Sequence, residues 1–361
     1  HGVDVNSRNA EETGINYYQE QARHTYGYSQ AIVPYEPLTD TSGVNFIFHM
    51  YESFVTWRIP SELFWRPPLW NAVDQGIPDL VRILLLKGAD PSWKLKNFLP
   101  QGSLNTGINA LMYASYRGNC DIINIFIKAG IDINVREESG KNALYYAIEG
   151  NSAEAVKYLV KAGADRLVDI NEQQTALMQA VKSPDRIDMI PMLIDLGENI
   201  NERNKSGSAL IAAACQPDNL DMVKWLLEHG AFVNERDEDG VTAMMLVYDS
   251  PATLQLLAGF GGNINSRTVS GRTALFSAVE TGDFNNATWF IEHGADVNNA
   301  EFTEGKTPLM QAIYMENYEI ARLLLDHRAD VNFRDKNGKS SLDYAKEKKD
   351  VPSDIMAKLR Q

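Results

Sequence analysis

Two short motifs recur along the chain with a period close to 33 residues. The first is a hexapeptide such as HGADVN at 293–298 or AGIDIN at 129–134, which also occurs in looser copies. The second, upstream of each copy, is a small residue followed by a large apolar one. The apolar members are separated by 42, 33, 33, 33, 34, 31, 34 and 33 residues: Leu69, Leu111, Leu144, Leu177, Leu210, Met244, Leu275, Leu309 and Leu342. Such a period predicts small repeats that can bury their apolar faces only by stacking on one another.

One well-preserved copy shows what each repeat contains. The segment GKTPLMQAI at 305–313 predicts a short helix with proline in its first turn, where a missing amide hydrogen is tolerated. Farther on, Ile320, Leu323 and Leu324 share one face of a second helix. Most copies then carry glycine, where this copy has Arg328, and glycine is typical of a left-handed helix end. The predicted repeat is therefore helix, loop, helix and hairpin.

Three of the first helices open with nearly the same six residues. TPLMQA at 307–312, TALFSA at 273–278 and TALMQA at 175–180 are similar to the T-P-L-H-x-A signature of the ankyrin repeat family, whose period also agrees. The histidine of that signature is replaced throughout, which removes a family hydrogen bond. The resemblance covers roughly residues 66–361. It implies an all-α ankyrin repeat solenoid, whose first helices and hairpin tips line a concave side that usually binds the partner.

The two ends of the chain differ from the repeats between them. HGVDVN at 1–6 matches the hexapeptide at 293–298, so we expect the two to superpose. We interpret residues 1–27 as the end of one ankyrin-like repeat followed by a degenerate one. This interpretation implies that repeat helices precede the first residue in a longer chain, unless His1 belongs to a short capping hairpin built from the same template. Residues 67–361 form the predicted array of nine repeats, with a polar C-terminal cap from residue 338.

A segment between these parts, residues 28–66, fits no repeat. It holds so many aromatic side chains that a disordered linker is disfavoured. We predict that it packs on the exposed face of the first well-formed repeat. The alternative is a ligand-binding or catalytic insertion, and a pull-down with the chain cut at residue 66 separates the two.

Two intervals depart from the regular period. Nine extra residues between Leu69 and Leu111 fall in one long hairpin at 93–103, and long loops are more often functional than short ones. Its apolar Phe98 and Leu99 would be costly in water unless a partner or the aromatic segment covers them. The shortest interval reflects a deletion near residues 249–252, which we expect to shorten the second helix of that repeat.

Composition restricts the class of partner and the compartment. The chain carries 34 Lys and Arg against 48 Asp and Glu, a net charge of −14, whereas domains that bind nucleic acid are usually basic. We therefore predict a protein partner and no nucleic acid. No apolar run approaches the ~18 residues of a membrane span. Two cysteines make no disulfide framework, which favours the cytoplasm, with a secreted effector or a processed periplasmic or extracellular protein as the alternative.

Residues with catalytic or metal-binding chemistry are few and scattered. His229, His293 and His327 occupy equivalent positions in different repeats, where the helix dipole explains a histidine and one metal cannot be shared. Cys120 and Cys215 stand three repeats apart, which excludes a disulfide between them. No glycine-rich phosphate loop follows a predicted strand. We predict no enzyme activity, no cofactor and no metal site.

A concentration of tyrosines on two adjacent first helices marks the candidate binding site. Tyrosine and arginine are frequent anchors of protein interfaces. We predict one partner-binding patch that joins these helices to the long hairpin, formed by Trp93, Phe98, Leu99, Tyr113, Tyr116, Arg117, Tyr146 and Glu149. The alternative is that Tyr113 and Tyr146 only pack against neighbouring hairpins.

The function that these features favour is a scaffold that recognises a protein partner through its concave face and hairpin tips. The alternative is a regulatory or targeting ankyrin domain of a larger enzyme, or a bacterial effector or immunity protein. The intact mass of the native gene product separates a scaffold of about this length from part of a larger enzyme. The partner's identity and the oligomeric state stay open at this point.

Overall fold

The structure is a computed structural model that describes residues 68–96 and 106–360. The predicted segments 1–27 and 28–66 lie outside the described residues, so the interpretation of both stays a prediction. The long hairpin is described only at its two ends, and Phe98 and Leu99 likewise lie outside. The chain divides into two compact units, of which the first ends at Asn171 and the second begins at Glu172.

Within residues 68–96 and 106–171, the first unit contains three helix pairs and short hairpin strands. Its helices are Pro68–Asp74 (α1), Pro78–Leu86 (α2), Ala110–Tyr116 (α3), Cys120–Lys128 (α4), Ala143–Glu149 (α5) and Ala153–Lys161 (α6). Its strands are Leu95–Lys96 (β1), Thr106–Ile108 (β2) and Leu167–Asp169 (β3). Strands β1 and β2 pair antiparallel. The pairing joins the two ends of the long hairpin that the sequence predicts.

The second unit contains six helix pairs. Its first helices are Ala176–Ala180 (α7), Ala209–Ala214 (α9), Ala243–Leu246 (α11), Ala274–Thr281 (α13), Pro308–Tyr314 (α15) and Ser341–Lys346 (α17). Its second helices are Met189–Asp195 (α8), Leu220–Glu228 (α10), Pro251–Gly259 (α12), Phe284–Glu292 (α14), Tyr318–Asp326 (α16) and Ser353–Lys358 (α18). The strands are Gln174–Thr175 (β4), Arg203–Asn204 (β5) and Gly207–Ser208 (β6), of which β5 and β6 pair antiparallel.

The first helices begin where a polar side chain caps them. Thr273 Oγ1 accepts the amide hydrogen of Phe276 at 3.2 Å, and Thr307 makes the equivalent bond in the next repeat. Asn109 serves the same purpose in the first unit, with its Oδ1 2.9 Å from the amide nitrogen of Met112. Such caps satisfy amides that a helix start leaves without an intrahelical partner. In these repeats the Thr or Asn before the first helix therefore sets where that helix begins.

The apolar face of each helix pair is buried, as the periodicity predicts. In α16, Ile320 and Leu324 are buried and Leu323 is half-buried. The side chains that replace the histidine of the signature, such as Met112, Phe276 and Met310, are also buried. Burial of large apolar side chains contributes roughly 1.5–3 kcal/mol each. Replacement of the polar histidine by apolar side chains thus extends the core into the first helices.

An asparagine in three successive hairpins of the second unit joins neighbouring repeats through a pair of hydrogen bonds. Asn265 Nδ2 donates to the carbonyl of Gly294 at 3.1 Å, and its Oδ1 accepts the amide hydrogen of Asp296 at 2.9 Å. Asn234, one repeat earlier, and Asn201, two repeats earlier, each make the same pair of bonds to the hairpin that follows. Because one side-chain amide supplies both a donor and an acceptor, it fixes the register of two consecutive hairpins. We call these contacts the asparagine bridges.

The hairpin tips of the second unit are joined by backbone hydrogen bonds. The amide of Val269 donates to the carbonyl of Asp239 at 2.7 Å, and the amide of Phe302 donates to the carbonyl of Ser270 at 2.6 Å. Similar bonds run from Glu238 to Lys205 and from Lys336 to Glu304. Backbone hydrogen bonds therefore connect the tips into a continuous row.

The repeat with the deletion differs from the sequence-based expectation. The sequence predicts that the deletion shortens the second helix of this repeat. That prediction is wrong, because α12 has nine residues, as do α10, α14 and α16. Instead the first helix, α11, has only four residues, against six in α9 and eight in α13. The chain leaves α11 at Val247 with an extended ψ of 124°. Ser250 then caps α12, accepting the amide hydrogen of Thr253 at 3.4 Å, with Pro251 as the first helical residue.

Most second helices end at a glycine with positive φ. Gly294 has φ 90° after α14, whereas Arg328 takes the equivalent place after α16 with φ 65°. A Cβ on Gly294 would meet no heavy atom within 4 Å, so only backbone strain opposes a side chain there. For residues other than glycine, the left-handed conformation costs about 1–2 kcal/mol.

We predict that Gly294→Ala lowers the free energy of unfolding by about 1 kcal/mol. The reverse change, Arg328→Gly, should raise it by a smaller amount, because glycine also gains entropy in the unfolded chain. Urea unfolding followed by circular dichroism measures both effects. A loss of stability in Arg328→Gly would contradict the assignment of strain to this position.

We also predict that Asn265→Ala lowers the free energy of unfolding by about 1–2 kcal/mol, since two hydrogen bonds between repeats are lost. The matched control is Asn337→Ala at an exposed hairpin tip, where the asparagine side chain makes no hydrogen bond to the described residues. Thermal unfolding compares the two variants. Equal midpoints for both variants would show that the asparagine bridges do not stabilise the array.

Candidate functional site

A polar cluster of three side chains lies on the first helices of the first unit. Asp74 ends α1, Tyr113 lies in α3, and Arg117 follows α3 one turn after Tyr113. The Tyr113 hydroxyl donates to the Asp74 carboxylate. Arg117 Nη1 lies 2.8 Å from Asp74 Oδ1 and 3.2 Å from the Tyr113 hydroxyl oxygen. The carboxylate thus holds both neighbours in place.

Burial affects the tyrosine of this cluster most. Its side chain is 5% exposed, and its ring centroid lies 5.2 Å from that of Trp70. Burial raises the pKa of Tyr113 above its usual range, and the hydrogen bond to Asp74 raises it further. The phenol therefore stays protonated and acts as a hydrogen-bond donor at neutral pH.

Arg117 is the member of the cluster that solvent reaches best. Its side chain is 47% exposed, against 27% for the side chain of Asp74. Asp74 therefore holds the Arg117 guanidinium in place, while about half of the arginine side chain stays exposed to solvent. Pre-ordering of a long side chain lowers the entropy that a partner would lose on binding it.

A glycine brings the ends of α3 and α5 together. A Cβ at Gly150, the residue that follows α5, would overlap the carbonyl oxygen of Tyr116, the last residue of α3. Only glycine fits such a close approach. Glu149 therefore lies beside Tyr116 and Arg117, and both Glu149 and Tyr116 are half-buried. The backbones of three predicted patch residues are therefore close together at these helix ends.

The remaining patch residues lie in different environments. Tyr146 is only 1% exposed, so it offers no surface to a partner, and the alternative in which it packs within the array fits its burial. Tyr113 is also buried, and its hydroxyl contacts Asp74 and Arg117 instead of solvent. Trp93 is half-buried just before β1. The two apolar residues predicted at the hairpin tip, Phe98 and Leu99, lie outside the described residues.

The sequence also matches a known family over most of its length. A profile that describes Ankyrin repeats (3 copies) matches residues 69–168, 111–204, 177–248 and 246–335. The chain belongs to the ankyrin repeat family. No curated protein matches the sequence. The ankyrin repeats and the predominance of helices confirm the predicted all-α ankyrin repeat solenoid, and modules of this family generally bind other proteins.

The histidines of the ankyrin repeats have structural partners. His229 Nδ1 lies 2.7 Å from the carbonyl oxygen of Trp225, and its ring stacks on that of Trp225 with 3.7 Å between centroids. His293 repeats both contacts with Trp289. Each ring thus approaches a carbonyl oxygen that already accepts the histidine's own amide hydrogen, at the C-terminal end of its helix. These histidines therefore end the second helices, as the sequence predicts.

In the described ranges, metal-binding side chains are not clustered and the cysteines are unpaired. Among residues 68–96 and 106–360, no group of three or more His, Cys, Asp or Glu side chains could hold a metal ion. Both cysteines are free thiols, and burial raises the pKa of Cys120. Within the same ranges, no ankyrin helix is long and apolar enough to cross a membrane.

One residue of the polar cluster is absent from the predicted patch. Asp74 was identifiable only as one of many variable residues at the ends of first helices. Its partner Arg117 stands 43 residues farther along, and the long hairpin between them breaks the regular period. A sequence pattern at fixed spacing therefore could not pair them.

We predict opposite effects for two tyrosine-to-phenylalanine substitutions in adjacent repeats. Tyr113→Phe removes a hydrogen bond to a carboxylate and should lower the free energy of unfolding by about 1–2 kcal/mol. The buried hydroxyl of Tyr146 has no hydrogen-bond partner among the described residues, so Tyr146→Phe should leave stability unchanged or raise it. Urea unfolding of the two variants tests the difference. A larger loss in Tyr146→Phe than in Tyr113→Phe would contradict it.

Proposed function

We propose that the protein is an interaction scaffold that recognises a protein partner through the surface around Arg117. The observation that carries the proposal is an exposed arginine that Asp74 holds at 2.8 Å beside the half-buried Tyr116 and Glu149. Interface hot spots are enriched in tyrosine and arginine. Here both residue types are positioned before any partner arrives.

The composition of the chain supports the choice of partner class. A net charge of −14 opposes association with the phosphate backbone of nucleic acids. An arginine flanked by a glutamate and a tyrosine suits a protein surface that offers a carboxylate and an apolar group. Trp93 and the hairpin that follows it would extend the same surface. The cytoplasmic location and the absence of enzyme activity and cofactors are parts of this proposal.

The test is partner capture with a paired surface control in the same unit. The full-length chain is used as bait, captured proteins are identified by mass spectrometry, and one purified partner is titrated against variants. Tyr116→Ala with Arg117→Glu should weaken its binding at least about tenfold, the expected cost of losing a hot spot.

The control is Arg82→Glu on the second helix α2. Arg82 is exposed and pairs with Asp79 at 3.0 Å, so the control removes a similar ion pair with the same change of charge. It should leave binding unchanged. If the Tyr116 and Arg117 variant binds as tightly as the wild type, this surface is not the binding site.

A further inference from the structure

An open cavity of about 520 Å³ lies on the first-helix side of the second unit. Its apolar wall includes Met178, Ile211, Ala212 and Leu246, and the hairpin tips at 204–208 and 237–239 form the polar wall. Ligand sites in proteins typically combine a concave apolar surface of this size with a few polar groups. The surface around Arg117 belongs to the first unit, so this cavity is a separate feature.

Two local features of the sequence create the space. Ala212 takes the position held by Ser277 and Gln311 in later repeats, so a small side chain leaves room. Helix α11 stops after four residues, and no second turn fills the volume beyond it. As a result Leu246, its last residue, is 36% exposed. The cavity therefore follows from the deletion in this repeat.

The polar wall carries free carboxylates. Asp237 is occupied by its own hairpin, since its carboxylate accepts the amide hydrogens of Asp239 at 2.9 Å and Val241 at 2.8 Å. The exposed carboxylates of Glu238 and Asp239 have no hydrogen bond or ion pair within the described residues. On the facing tip, Lys205 is the corresponding free ammonium.

The other basic group at the cavity is already engaged. Lys182 Nζ donates to Gln174 Oε1 at 2.9 Å. Among the described residues, the charged side chains at the rim that make no ion pair or hydrogen bond are thus two carboxylates and one ammonium. No ion pair within the described residues neutralises the carboxylates of Glu238 and Asp239. A bound segment therefore gains most by placing a positive charge against this tip.

Apolar surface continues beyond the acidic tip. Val269, on the next hairpin, is 73% exposed, and Phe302 on the one after it is 50% exposed. The guanidinium of Arg267 lies over the Phe302 ring, 4.9 Å from its centroid. Exposed apolar groups beside polar ones are typical of binding surfaces. The acidic tip therefore stands between an apolar cavity and two apolar tips.

We propose that this surface binds a peptide segment of a partner in which a lysine or arginine adjoins a large apolar side chain. The apolar side chain enters the cavity beside Leu246, and the cation pairs with Glu238 and Asp239. This inference rests on the proposed role in protein recognition and adds a second site with a defined chemistry. The same carboxylates repel acidic peptides and nucleic acid.

The probe is a phage-displayed library of random dodecapeptides, selected against the full-length protein. Enriched peptides should share a lysine or arginine next to a leucine, isoleucine, phenylalanine, methionine or tryptophan. One enriched peptide is then synthesised for titration. Enrichment of acidic or uncharged sequences, or no enrichment, would overturn the proposal.

Cys215 offers a local readout because this exposed thiol lines the cavity. A saturating amount of the selected peptide should slow alkylation of Cys215 by N-ethylmaleimide. Cys120 lies in the first unit and serves as the internal control, whose rate should not change. Unchanged alkylation of Cys215 would place the peptide elsewhere. Protection that rises with protein concentration alone would assign the cavity to a second copy of this chain and overturn the proposal.

Substitutions test the two halves of the site. Glu238→Lys with Asp239→Lys should weaken the selected peptide at least about tenfold, because like charges now face each other. Leu246→Ala should also weaken it several-fold by removing apolar contact. The matched control is Glu228→Lys with Glu292→Lys, the same charge change at exposed ends of second helices. If the control variant loses as much affinity for the peptide, the effect comes from the change in net charge, and the assignment of the cation to Glu238 and Asp239 is overturned.

The two proposals fail independently. The Tyr116→Ala and Arg117→Glu variant should bind the selected peptide like the wild type, since its changes lie in the other unit. If that variant loses its captured partner but keeps the peptide, both proposals stand. Loss of the peptide in that variant would overturn the separate second site.

Discussion

The asparagine bridges set the register on which the rest of the array depends. One side-chain amide bonds the carbonyl and the amide of the next hairpin at the same time, so neither partner can slip along the chain without losing both bonds. The bridges from Asn201 and Asn265 span 29 residues to the glycine they reach, whereas the bridge from Asn234 spans only 27. The bridge is thus kept where the repeat has lost residues.

This constraint explains where the deletion is absorbed. The start of α12 is fixed by Ser250 and Pro251, and its end by the bridge from Asn234 to Gly261. Helix α11 lacks a side-chain cap at its start, since the Thr242 hydroxyl has no hydrogen-bond partner among the described residues, so it is the element that gives way. The lost turn exposes Leu246 and opens the cavity beside it.

Much of this architecture could be predicted from the sequence, and the exceptions share a cause. The period, the capping residues and the glycine after most second helices are local signals that recur along the chain. The shortening of α11 and the burial of Tyr146 depend instead on contacts between repeats. Residues at one repeat position can be exposed, like Leu246, or buried, like Tyr146. A pattern that treats all repeats as equivalent cannot separate them.

The two candidate surfaces differ in how their charges are held. Arg117 is fixed by a carboxylate and a phenol, so its position is set in advance. Glu238 and Asp239 have no such partner among the described residues, and their fixed element is the hairpin that carries them. A positioned side chain favours one geometry of partner, while free carboxylates on a rigid turn tolerate several.

The row of hairpin tips has a consequence for how such a chain can diversify. Since the bonds from tip to tip run mainly between backbone atoms, the exposed side chains at Lys205, Glu238 and Val269 carry little of the folding energy. Descendants of one ancestral array can therefore exchange these residues freely and acquire new binding preferences without first gaining stability elsewhere. The tips are the part of the molecule in which selection for recognition is least opposed by selection for folding.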